Sequence, residues 1–286
     1  MADDVRAGLM PGSAAPLPPI VDSAQIAGRD DVVMCDVRWY LDGRSGLDAY
    51  LDGHIAGAIW VDLDVHLSAH GGPEHGRHPL PGAQSFADSL GELGIGPDDT
   101  VVAYDDQGGL PASRLVWMLR VLGHDAALLT GGLQAWPGST ATERNHRAPV
   151  TCPVRGWPDG AFVDIDAAAA AGAGANSVLI DARGGDRYRG ETEPIDARPG
   201  HIPGAANVPF ADNFDAGGFF ADLATLRARY EFEGVADADE TVIYCGSGVS
   251  ACTDALAMEH AGLGRPSVYI GSWSQWSHTD RPAETV

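Results

Sequence analysis

The sequence predicts an α/β protein made of two tandem domains, each a parallel sheet with helices on both faces. The first observation behind this is a repeat at long period. Asp36-Val37-Arg38 returns as Asp181-Ala182-Arg183, 145 residues on, and Gly53-His54-Ile55-Ala56-Gly57-Ala58 returns as Gly200-His201-Ile202-Pro203-Gly204-Ala205, 147 residues on. Residues 102–105 match 242–245, and 131–136 match 271–276, both at a shift of 140. The shifts barely drift, so the halves share one order of elements. The second observation is that short continuous apolar runs alternate with stretches of helical periodicity, as when strands buried on both faces are joined by crossover helices. A length of 286 residues suits two domains that each bury a core.

Residues 1–19 are rich in Ala and Pro, carry Asp3 and Asp4, and lack the basic region and apolar core of a signal peptide. They read as a disordered arm. The first domain, 20–136, has strand runs at 32–34, 101–104 and 127–129, and a helix at 114–122 ending on Gly123 as its C-cap. Residues 137–160 carry four prolines and little periodicity, which marks a linker. The second domain, 161–286, opens with Asp164 and Asp166 as caps for a helix in the alanine run 167–175. Strand runs follow at 178–180, 241–244 and 267–270, with a helix at 253–261 ending on Gly262.

Forty acidic residues against eighteen basic ones give a formal charge of −22, and every basic residue is arginine. Such a field repels nucleic acid and anionic membranes, so an anionic substrate needs a local arginine cluster. No apolar stretch approaches the length of a membrane span. The four cysteines, at 35, 152, 245 and 252, have neither metal spacing nor the look of a disulfide framework, and a free thiolate suits the reducing cytoplasm. His70, Glu74, His75 and His78 sit in a glycine-rich segment that fits a mobile loop better than a metal site, and no cofactor is called for.

The chemistry concentrates at Cys245-Gly246-Ser247-Gly248-Val249-Ser250, between the apolar run 242–244 and a helix-like stretch from Ala251. A cysteine at a strand's carboxyl end, in a glycine-bearing loop feeding a helix, meets converging N–H groups and a positive helix end, which stabilise a thiolate. Two glycines and two serines within five residues are poor core material, so a nucleophile is the leading reading. A P-loop needs a lysine, which this chain lacks. A cysteine phosphatase needs an arginine six residues after the cysteine, where Ala251 stands. The first half has Asp105 at the matching place, and an aspartate cannot carry sulfur, so only the second half can be catalytic. Cys252 reads as a buried packing residue, with a redox role left open.

The duplication, the Asp-for-Cys exchange, Gly-His-Ile-x-Gly-Ala in both halves and the cysteine loop together resemble the two-domain rhodanese sulfurtransferases, from about residue 21 to 276. Within that family the loop, Gly246 to Ser250, is similar to that of the 3-mercaptopyruvate sulfurtransferases and lacks the two cations that follow the cysteine in thiosulfate-specific members. The resemblance implies Arg187 and Arg198 as a carboxylate clamp, with Gly246, Gly248, Val249 and Ser250 forming the substrate loop. It also implies a relay of Ser247, His78 and Asp64 beside the catalytic Cys245. His54 and His201 read as turn histidines satisfied by backbone. The implied reaction moves sulfur from 3-mercaptopyruvate, or alternatively thiosulfate, through a Cys245 persulfide to cyanide, a thiol or a thioredoxin-type protein. A remoter reading is a non-catalytic module that binds an anion or a protein through its arginines.

Overall fold

The computed structural model describes residues 15–286. Twelve strands follow in chain order: β1 Ile20–Val21, β2 Val32–Asp36, β3 His54–Ile55, β4 Ile59–Trp60, β5 Thr100–Tyr104, β6 Ala126–Leu129, β7 Thr140–Ala141, β8 Phe162–Val163, β9 Val178–Asp181, β10 Ala205–Asn207, β11 Thr241–Tyr244 and β12 Ser267–Tyr269. The first domain's sheet runs β1-β6-β5-β2-β4 and the second's runs β10-β9-β11-β12-β8, all pairs parallel. Matched through the repeat, the two strand orders are the same. The central strands β5 and β11 are apolar and almost wholly buried, as a sheet covered on both faces requires.

The repeated motifs do the same structural work in each copy. Arg38 pairs with Asp36 at 2.7 Å and donates to Gly53 O, and Arg183 pairs with Asp181 at 2.6 Å and donates to Gly200 O. Each Gly-His-Ile histidine stacks on a tyrosine at 3.8 Å, His54 on Tyr50 and His201 on Tyr188, with its Nδ1 at the same tyrosine's carbonyl. Both are turn histidines held by backbone.

Ordered packing reaches further into the segments flanking the domains than their composition implies. Of the N-terminal arm, residues 1–14 lie outside the described residues, but Leu17 is buried and its N–H donates to Asp125 Oδ1 at 2.8 Å. Within 137–160, β7 pairs antiparallel with β3, and Trp157 is wedged between Phe86 and Phe162, donating from Nε1 to Pro81 O. Asn145, Arg147 and Cys152 add hydrogen bonds from this segment to the first domain.

The helices Leu110–Val121 and Ala251–His260 pack against each other across the domain boundary. Both are buried along most of their length, and one apolar core runs through both domains. Arg120 and Glu259 pair across that boundary at 2.7 Å. No helix among the described residues is long and apolar enough to cross a membrane.

Candidate active site

Cys245 leaves the carboxyl end of β11, the central strand of the second sheet, where ligands bind in such folds. It is 1% exposed, and its Sγ accepts the Gly248 N–H at 3.1 Å. Gly248 has φ +75°, and a Cβ there would stand 2.6 Å from Ile270 O, so only glycine fits. Helix Ala251–His260 starts directly after the loop and points its positive end toward it. The Cys245 N–H donates to Ser272 Oγ at 3.1 Å. Ser272, φ 51°, is the one non-glycine residue with positive φ among those described. The first copy has Gly132 at that place, φ 54°, so the second copy accepts local strain and gains a hydroxyl on the nucleophile's backbone.

The first domain shows what such a loop holds. Asp105 is fully buried, and its carboxylate accepts the N–H groups of Gln107 and Gly109 at 2.8 Å and of Ala112 at 3.0 Å. Burial pushes its pKa up to about 6, with the three backbone donors pulling the other way. An anion thus occupies the position that Cys245 takes in the other copy.

A cleft of about 290 Å³ opens over Cys245, lined among others by Trp39, Arg77, Arg187 and Phe210, together with Gly246, Ser247, Val249 and Ser250 of the loop. Gly248 lies behind the lining. His78, from the first domain, reaches across the boundary to place Nδ1 2.8 Å from Ser247 Oγ. Its Nε2 is 3.6 Å from Asp64 Oδ1, and Asp64 Oδ2 accepts the Trp39 indole N–H at 2.8 Å. Trp39 also meets the imidazole edge-on at 5.0 Å. Burial, with Arg114 and Arg77 nearby, pushes the His78 pKa down to about 3, so the ring is neutral at physiological pH.

The two expected clamp arginines part company. Arg187 lines the cleft and pairs with Glu193 at 2.7 Å and Asp196 at 2.9 Å. Arg198 turns away. Its Nη2 donates to the carbonyls of Trp276 at 3.3 Å and Arg281 at 2.5 Å, and it is not among the cleft residues. The reason is local: Glu193 accepts the N–H groups of Ile195 and Asp196, closing a turn that carries the chain past the cleft before residue 198. The short Glu-Pro stretch leaves Arg198 beyond reach.

Three residues escaped the reading of the sequence. Arg114, fully buried in helix Leu110–Val121, donates to Gly248 O at 2.9 Å and to the carbonyls of Leu67 and His78 at 3.2 Å, tying the loop to the histidine's segment. An arginine on the apolar face of a helical run is the signal that could have exposed it. Ser272 was legible as a Gly-to-Ser exchange within the repeat. Arg77 was visible only as a neighbour of His78.

Residues 23–138 and 165–279 each match the family of the Rhodanese-like domain. SseB of Mycobacterium tuberculosis, whose name assigns it provisionally to the thiosulfate sulfurtransferases, is 37% identical over 268 residues, covering 90% of this chain and 93% of that protein. The human 3-mercaptopyruvate sulfurtransferase is 35% identical over 265 residues, covering 88% of this chain and 87% of that one. Among solved structures, the 3-mercaptopyruvate sulfurtransferase from Leishmania major superposes with a TM-score of 0.79 at 31% identity, over 93% of this chain and 75% of that one. Two matched domains in one order, on a fold shared with these enzymes, establish that the chain belongs to the rhodanese family, as a two-domain sulfurtransferase.

Proposed function

We propose that the protein transfers sulfur from 3-mercaptopyruvate through a persulfide on Cys245. The observation that carries this is the 2.8 Å contact between Ser247 and the neutral His78, made across the domain boundary beside Cys245, the only cysteine among the described residues that lines the cleft. The Cys245 thiolate attacks the donor sulfur, and the C–S electron pair passes to the leaving carbon as the enolate of pyruvate. Ser247 gives its proton to that carbon and recovers the donor's thiol proton, with His78 holding the hydroxyl in place and Asp64 facing the far side of the ring. Pyruvate leaves, and the cysteine carries a persulfide anion that loop N–H groups stabilise. Cyanide then takes the outer sulfur as thiocyanate, or a thiol takes it as a hydropersulfide, and the thiolate is restored. A small thiol or a thioredoxin-type protein in a reducing cytoplasm fits the acceptor's role.

Thiosulfate is the second reading, favoured by the name of the mycobacterial relative and by the three guanidinium groups of Arg77, Arg183 and Arg187 in the cleft. Against it, Gly246 and Ser247 stand where two loop cations would neutralise a dianion beside the thiolate. Each charge-assisted hydrogen bond lost there is worth about 1.5–3 kcal/mol. Thiosulfate is therefore expected to lag by roughly two to four powers of ten in kcat/KM. Steady-state kinetics with both donors and cyanide test this; equal efficiency would establish thiosulfate as the donor.

A further inference from the structure

We infer that Arg114, a first-domain residue that does not line the cleft, is the buried counter-charge of the sulfur anion on Cys245 and a positioning residue that acts through Gly248. This rests on the proposed persulfide reading and deepens it by naming the cation that balances the anion in transit.

Three arginines are buried among the described residues, and carboxylates match two of them. Arg38 pairs with Asp36, and Arg183 pairs with Asp181 and Glu193. Arg114 is fully buried yet pairs with no carboxylate among the described residues. Its Nη1 and Nη2 donate to the neutral carbonyls of Gly248, Leu67 and His78, and its Nε has no partner. A guanidinium stays protonated in such a place, so a positive charge enters the core without a balancing one. Burial pulls the pKa of Arg114 down, and the groups that act in the opposite direction are the two sulfurs, Cys252 and Cys245.

Cys252 cannot supply the missing charge. Burial pushes its thiol up to about 12, so it donates from Sγ to Gly248 O at 3.4 Å as a neutral group. Burial likewise raises Asp254, on the same helix, well above the ordinary carboxylate range, so it too is neutral. His78 is uncharged, with the exposed Asp64 beyond its ring. In the cleft, Arg77, Arg183 and Arg187 are matched by Asp181, Glu193 and Asp196. That leaves the sulfur of Cys245. Gly248 links the two groups: its N–H donates to Sγ at 3.1 Å and its carbonyl accepts Arg114 Nη1 at 2.9 Å. From amide nitrogen to carbonyl oxygen one residue spans at most about 4 Å, so the guanidinium lies within about 10 Å of Sγ. Through buried protein, salt screens that attraction far less than it would at the surface. The same two bonds hold Gly248 from both sides and keep its N–H on the sulfur.

The test is the rate at which iodoacetamide alkylates Cys245, read at that residue by peptide mass spectrometry, in the wild type, Arg114→Met and Arg114→Lys. At about pH 7 Arg114→Met should react roughly ten- to hundredfold more slowly than wild type, and the deficit should close toward about pH 10, where a thiol ionises without help. Arg114→Lys keeps the charge and should stay within about threefold of wild type at about pH 7. A merely misplaced loop would slow alkylation at every pH and would gain nothing from lysine. An Arg114→Met protein that reacts at the wild-type rate, a deficit that persists at high pH, or a lysine variant no faster than the methionine one would each overturn the inference. Should Arg114→Met fail to fold, the wild type and Cys245→Ser decide the matter. The urea midpoint of the wild type relative to Cys245→Ser should rise from about pH 6 to about pH 9, as the thiolate forms opposite Arg114, and a constant difference would overturn the inference. Neither measurement uses a sulfur donor, so the persulfide reading fails separately, by an absence of sulfur uptake at Cys245.

Discussion

At the scale of single residues, protonation decides what the Ser247–His78 pair can do. In the tautomer that carries its N–H on Nε2, toward Asp64, the neutral imidazole accepts a hydrogen bond from the Ser247 hydroxyl on Nδ1, 2.8 Å away, and the proton stays on the serine oxygen. Because the folded pKa of about 3 lies below the ordinary 6.5, the unfolded chain binds the proton more readily in that interval. His78 therefore adds stability that is complete above pH 6.5 and is lost as pH falls toward 3. In kinetics, kcat/KM should show no acid limb near 6.5 traceable to this ring. Measured over roughly pH 5 to 8, a limb present in the wild type and absent in His78→Gln would contradict the assignment. Cys245 and Ser247 were legible because the signal is local: a strand end, glycines and a helix start within ten residues. The direction of Arg198 was not, because it depends on how the Glu193 turn disposes of the residues after it.

Between elements, the repeat provides its own control. The loop after β5 surrounds an internal carboxylate with N–H groups, and in the proposed chemistry the loop after β11 does the same for the sulfur anion. Asp105→Ala should leave three buried donors unpaired and cost about 2–4 kcal/mol, read as a lower midpoint in urea unfolding, without a matching loss in the chemical step. An unchanged midpoint would mean that the cradle needs no anion. Helix ends were readable from Gly123 and Gly262, which close their helices with φ of 83° and 73°. The start of helix Leu110–Val121 was not. Its first turn follows Gly109 in the left-handed region and contains Pro111, a combination that reads as a turn in sequence. The two-residue strands β1, β3, β4, β7 and β8 are too short to show any period.

For the whole molecule, duplication explains why the copy that has Asp105 in place of the loop cysteine is indispensable to the proposed chemistry. It supplies Trp39 and Arg77 to the lining of a cleft whose nucleophile belongs to the other copy, sets His78, backed by Asp64, against Ser247, and joins the two through Arg114 from within the shared core. The tandem α/β architecture was legible from the repeat, but nothing in the spacing says which faces of the two domains meet. That arrangement comes from the mutual burial of helices Leu110–Val121 and Ala251–His260, and it turns separate motifs into one site. The central claim is that the sulfur in transit is bound to Cys245 and nowhere else. Intact-protein mass spectrometry after brief exposure to 3-mercaptopyruvate, without acceptor, addresses it directly. The wild type should gain the mass of one sulfur atom that cyanide removes, and Cys245→Ser should gain none. A Cys245→Ser protein that still takes up one sulfur, removable by cyanide, would contradict the account.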